Sequence, residues 1–182
     1  MRTYIVSFVA AVVLGGCAST VPEAIRTAAP GNVQIEQVRE QPQQYRESVV
    51  RWGGNIVSTR NERDHTVLEI IGRDLDDEGR PRKEDRSLGR FLAKVQSFLD
   101  PAIYKAEREV TVRGSIEGTV EQAIGEFRYT YPLVRVDVVY LWQPRPPPLP
   151  PSYYPYYYDP FFYDPWYPWG MPYHRPWHYI PR

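Results

Sequence analysis

The chain has 182 residues, with 22 lysines plus arginines against 22 aspartates plus glutamates, which is enough for one domain with added segments. A net charge of zero excludes the basic surplus that a nucleic-acid-binding domain carries. One cysteine excludes an internal disulfide framework and a multi-cysteine zinc site, and three histidines leave little from which to build a catalytic centre.

Met1 and Arg2 form a short positive end, followed by an uncharged, mostly apolar run from Tyr4 to Leu14. A spanning helix needs about 20 apolar residues, so this run has the length of a signal-peptide core. It closes on Leu14-Gly15-Gly16-Cys17, which resembles the bacterial lipobox. The resemblance implies cleavage before Cys17, which would carry a diacylglycerol thioether and an N-acyl chain. No other cofactor is expected. More than one acyl chain gives stable anchoring. Ala18, not aspartate, follows the cysteine, and by resemblance to the lipoprotein sorting rule this implies the outer membrane. Residues 1–16 are therefore read as a signal peptide. Residues 17–31, with Pro22, Pro30 and small side chains, are read as a lipidated flexible tether.

The next segment, 32–143, reads as mainly β. Asn32 is placed to cap a short helix with Ile35 and Val38 on one face, limited by Pro42. Alternating runs follow: Val50, Trp52, Gly54 and Ile56; Phe91, Ala93 and Val95; Val110, Val112, Gly114 and Ile116; Val134, Val136, Val138 and Tyr140. Successive strand side chains point to opposite faces, so each run has a buried and a wet side, with Arg113 and Arg135 on the wet one. Val67–Ile71 makes a fifth, less regular strand. Asp100, with Pro101 after it, is placed to start a helical turn reaching Glu107. Five strands with a short helix between the third and fourth predict a small OB-like barrel, with Gly53, Gly54, Gly114 and Gly118 at its bends. The same strands would also serve a β-sandwich or an open sheet.

These residues carry a family resemblance. The stretches QPQQYRESVVRWGGNIVSTRN, FLAKVQSFLDPAIYKAEREVTVRGSIEGTV and YTYPLVRVDVVYLW, following the lipobox, resemble the Slp family of outer-membrane lipoproteins, the starvation-inducible type. Trp52-Gly53-Gly54 and Phe98-Leu99-Asp100-Pro101 are the most specific pieces. The resemblance implies an outer-membrane anchor, a stress or stationary-phase role and no enzymatic activity, and it supplies no catalytic residues.

Other candidate sites read blandly. Asp74, Asp76, Glu78, Gly79 and Asp85 fall near calcium-loop spacing, but Pro81 and Lys83 interrupt it and no helix is expected before it. A mixed-charge loop is the reading, and no metal site is expected. His65 beside Asp64 reads as a polar turn residue, and no nucleophile lies in an activating motif. His174 and His178 are separated by Pro176, which prevents them from aligning on a helix. An OB-like barrel raises nucleic-acid binding, but the segment 18–143 carries slightly more acid than base, so no nucleic acid is expected as a partner.

From 144 to 182 the chain becomes a low-complexity tail dense in proline, tyrosine and tryptophan, including the near-repeat Tyr156–Pro160 and Phe161–Pro165. Prolines at this density forbid sustained helix or central strand, so the tail is expected to be disordered. Trp166, Trp169 and Trp177 are its candidate surface contacts. Three readings stay open: aromatic rings lying on lipid headgroups, rings stacking on an envelope glycan or protein, or an extension bearing no specific site. The sequence therefore predicts a non-enzymatic lipoprotein acting by binding or structural support at the cell envelope. The alternative is a ligand- or glycan-binding module that uses the barrel face or the tail.

Overall fold

In a computed structural model, residues 20–147 are described. Two short helices, α1 (Glu23–Arg26) and α2 (Ile35–Glu40), precede five strands: β1 (Val49–Asn61), β2 (Thr66–Arg73), β3 (Arg90–Val95), β4 (Glu109–Ile124) and β5 (Phe127–Leu141). The strands close into a barrel in the order β1-β2-β3-β5-β4. Only β3 and β5 run parallel; the other four pairings are antiparallel. This is the OB-like barrel expected from the alternating runs.

The core is built from the inward side of those runs: Val50, Trp52, Ile56, Leu68, Ile70, Phe91, Ala93, Val110, Val112, Ile116 and Val134. Ile35 and Val38 of α2 plug one end, and Leu99 with Tyr104 packs against the same core from the segment after β3. Gly54 is required where β1 pairs with both neighbours, because a Cβ there would overlap the Ile71 carbonyl oxygen.

Three bulges redirect the strands, the first at Val57 on β1, an extra residue between Ile56, opposite Ile70, and Ser58, opposite Glu69. On β4, Glu117 is an extra residue between Ile116, opposite Val134, and Gly118, opposite Leu133. Gly118 sits at φ +146, a backbone conformation that suits glycine. On β5, Asp137 is the extra residue between Val136 and Val138. It reverses the alternation: Val139 and Leu141 pack on the barrel core, while Val138 and Tyr140 pack on an outer cluster. The expected single face of Val134, Val136, Val138 and Tyr140 is thus split in two.

Three further expectations are corrected. The helix cap is Gln34, not Asn32: Gln34 and Gln37 form a reciprocal capping box, and Asn32 turns at φ 42 and holds the Gln34 side chain. Between β3 and β4 the chain makes turns at 101–103 and 106–107 and no helix. Asp100 does accept the Ala102 N–H, but the chain leaves at Glu107 with φ 69 to enter β4. Within the expected tether, residues 21–26 are docked, with Val21 and Ile25 buried against Trp142.

Candidate functional site

Four residues are too few for an isolated helix to persist in water, so α1 depends on what holds it. Arg51 on β1 and Arg113 on β4 supply that hold. Arg51 donates through Nη1 to the carbonyls of Ile25 (2.9 Å) and Arg26 (2.6 Å). Arg113 donates through Nη1 to those of Ala24 (3.1 Å) and Thr27 (3.3 Å). Both guanidiniums meet carbonyls that a helix end leaves without intrahelical partners. Partial burial, and then the charge of Arg113, hold the Arg51 guanidinium below its ordinary pKa.

Beside α1, the indole of Trp142 closes the patch. Its Nε1 donates to the Thr111 hydroxyl (2.9 Å), which in turn donates to the Gly79 carbonyl (2.7 Å). Arg80 lies over the Trp142 ring and pairs with Glu109 at 2.6 Å. The 74–89 loop therefore packs on this patch. Asp76 spends one carboxylate oxygen on the backbone N–H groups of Glu78 and Arg80, a turn-forming role. Among the described residues no three His, Cys, Asp or Glu side chains come together in a way that could hold a metal ion.

The outer face of β2 and β3, where OB folds commonly take oligonucleotides and oligosaccharides, is covered by the chain itself. Past its bulge the β4–β5 hairpin folds across this face, and Tyr131 packs on Val67 and Leu92 with Val120, Ile124, Tyr129 and Leu133 around it. The Tyr131 hydroxyl donates to Glu69 (2.8 Å), which also pairs with Arg90 (2.7 Å). Arg90 N–H donates to the Tyr129 hydroxyl (2.9 Å), and the Arg39 guanidinium lies 4.3 Å from the Tyr129 ring centre. Burial, and then the bond to Glu69, push the Tyr131 phenol above its ordinary pKa.

Two open cavities remain between α2, β1 and the 74–89 loop. One, of about 280 Å³, is lined by Gln34, Trp52, Arg73 and Asp74 among others. The second, of about 420 Å³, is lined by Glu36, Arg39, Arg86 and Ser87. Part of this polarity is already used: Trp52 donates its indole N–H to the Val33 carbonyl (2.8 Å), and Arg73 donates to the Arg86 carbonyl (2.9 Å). The two cavities open beside α2.

The sequence-derived site residues are distributed as follows. Leu14, Gly15, Gly16 and Cys17 lie outside the described residues, as do Trp166, Trp169, Trp177, His174 and His178. His65 is placed in the β1–β2 turn, 2.6 Å from Asp64 and 3.4 Å from Glu62. Its bond to Asp64 holds that carboxyl below its ordinary pKa. Arg113, expected on the wet face, lies on the outer side of the barrel and there carries α1. Arg51, Tyr131 and Trp142 were not singled out from sequence. The alternation of Tyr129, Tyr131 and Leu133 on the phase opposite to Val134 was the available signal for a second apolar face. Among the described residues no helix is long and apolar enough to cross a membrane.

Comparison with known proteins adds a family. The model of the outer membrane lipoprotein Slp family matches residues 14–174. The uncharacterized lipoprotein YeaY of Escherichia coli K12 is 37% identical over 133 residues, covering 72% of this chain and 68% of that protein. Outer membrane protein Slp of the same organism is 31% identical over 134 residues, 72% of this chain and 70% of that protein. A third similar protein, from Haemophilus influenzae Rd, is 35% identical over 94 residues, 51% of each chain. No solved structure matches the chain.

Proposed function

Since the chain belongs to the Slp family of outer membrane lipoproteins, we propose that it works without catalysis, as a barrel held at the outer membrane by acyl chains on Cys17. The observation that carries this reading is the contact of Val21 with Trp142, which docks the chain on the barrel four residues after Cys17. Four residues reach no further than about 14 Å, so an anchor at Cys17 keeps the domain against the lipid surface. The covered β2–β3 face also speaks for a structural role, since the surface on which OB barrels usually take ligands is occupied by Tyr131 and its neighbours.

A stress or stationary-phase role is part of the proposal and rests on the family resemblance. Contacts of the 144–182 segment with lipid, an envelope protein or a glycan are likewise proposed from its aromatic composition. One observation favours a second reading, a small-ligand module: the larger cavity between α2 and the 74–89 loop is open and lined by Arg39 and Arg86. Saturation-transfer NMR with envelope glycans, read on the soluble barrel, separates the two.

The deciding experiment is mass spectrometry of the mature protein with membrane fractionation. Acylated Cys17 at the new N-terminus, and loss of outer-membrane sorting in Cys17→Ser, are expected. A cleaved but unacylated wild-type chain overturns the reading.

A further inference from the structure

We propose that the end of the barrel carrying Val21 and Trp142 is a membrane-contact surface, where Phe98 and Ile103 enter the phospholipid leaflet that holds the acyl chains. This deepens the reading above and rests on acylation at Cys17.

Phe98 is 73% exposed and Ile103 53% exposed, although both are large apolar side chains. They flank a single well-held turn. Leu99 between them is buried, and its N–H donates to the Thr66 hydroxyl (3.0 Å). The N–H groups of Ile103 and Tyr104 both donate to the Asp100 carbonyl, at 3.0 and 2.9 Å. The two side chains are thus displayed by an ordered backbone, so little chain entropy is left to lose when they are buried elsewhere.

Arg108 fixes where that turn lies. Its Nη1 donates to the Ile103 carbonyl (3.3 Å) and its Nη2 to the Trp142 carbonyl (2.9 Å). One guanidinium therefore joins the apolar turn to the residue against which Val21 is packed. Cys17 is four residues before Val21, a reach of at most about 14 Å. An acyl attachment within that reach lies close enough for the exposed pair to meet the same leaflet. Lys105, exposed and next after Tyr104, would put an ammonium at headgroup depth. Two side chains would bind lipid weakly alone, but tethering raises the local lipid concentration enough to populate a weak insertion.

Phe127 is a built-in control. It is 68% exposed, beside the Gly125 turn that joins the far end of β4 to β5, away from Glu109 and Trp142. Cys17 is the sole native cysteine, and its thioether leaves an introduced thiol as the only labelling site. The acylated full-length protein, carrying Phe98→Cys, Ile103→Cys or Phe127→Cys with a polarity-sensitive fluorophore, is reconstituted in phosphatidylethanolamine–phosphatidylglycerol vesicles. Blue-shifted emission and several-fold slower quenching by aqueous iodide are expected at 98 and 103, with no change at 127. Protein that floats with the vesicles but quenches equally at all three positions overturns the contact surface and leaves anchorage standing. Protein that does not float overturns anchorage, and the contact surface with it.

Discussion

Arg51 and Arg113 face each other across the β1–β4 pair and turn both guanidiniums to the same four-residue helix. Two like charges are held side by side because each meets main-chain carbonyls rather than a carboxylate. Replacing either with serine should cost about 1–2 kcal/mol, the range of a hydrogen bond made by a charged donor, reduced by the partial exposure of the site. Arg135→Ser should cost less than about 0.5 kcal/mol, since its partner Glu47 is exposed. Urea unfolding of the three variants tests this, with limited proteolysis expected to cut the 20–33 segment only in the first two.

Gly54→Ala should be far more damaging than its size suggests. The new methyl would meet the Ile71 carbonyl, which is backbone and cannot swing aside. A loss of about 3 kcal/mol or more is expected, from overpacking. Thermal melts followed by far-ultraviolet circular dichroism would show it, and an unchanged melting point would place β1 and β2 further apart than described.

Tyr131→Phe should cost about 1.5 kcal/mol, the loss of a hydrogen bond to a charged acceptor; Glu69 keeps its pairing with Arg90. The phenol's pKa is raised in the folded protein, so folding favours its neutral form. Its contribution is complete below the ordinary tyrosine pKa of about 10 and is lost as pH rises through the higher folded value. Stability measured against pH should fall less steeply on the alkaline side in Tyr131→Phe than in the wild type. Equal slopes would remove Tyr131 as the group responsible.

Val112→Asp puts a carboxylate at a position with no exposure, between the turns of the barrel core. The core cluster around Val112 is hydrophobic, so a loss on the order of 4 kcal/mol is expected, through burial of an unpaired charge or local unfolding. Calorimetry of Val112→Asp beside Arg135→Ser checks the face assignment, which fails if the two melt alike.

Period-two alternation carried most of the barrel. Val50 to Ile56, Phe91 to Val95 and Val110 to Ile116 each kept one phase, and each supplies the core as expected. What alternation could not carry was a change of phase. The extra residues Glu117 and Asp137 leave no mark in composition, yet each exchanges the faces of everything beyond it. For this reason the outward phase of Val138 is not legible from alternation, nor is the turn of Val120 and Ile124 toward Tyr131; Tyr131 itself keeps the phase opposite to Val134. The docking of α1 was hidden for a different reason. Its proline and small neighbours read as linker, and its partners are carbonyls, which are common to every residue and leave no sequence signal. The Slp resemblance located the family but held no contact of this kind.

The docked segment also sets a mechanical property. Were Cys17 acylated, a pull between barrel and bilayer would load the Val21 contact with Trp142 first and the Arg51 and Arg113 bonds next. While these hold, the free chain from Cys17 is four residues long. Once they release, the thirteen residues from Val21 to Val33 become slack, adding up to about 45 Å of reach at the extended rise. In that case two arginines on neighbouring strands would set the difference between a short standoff and a long one.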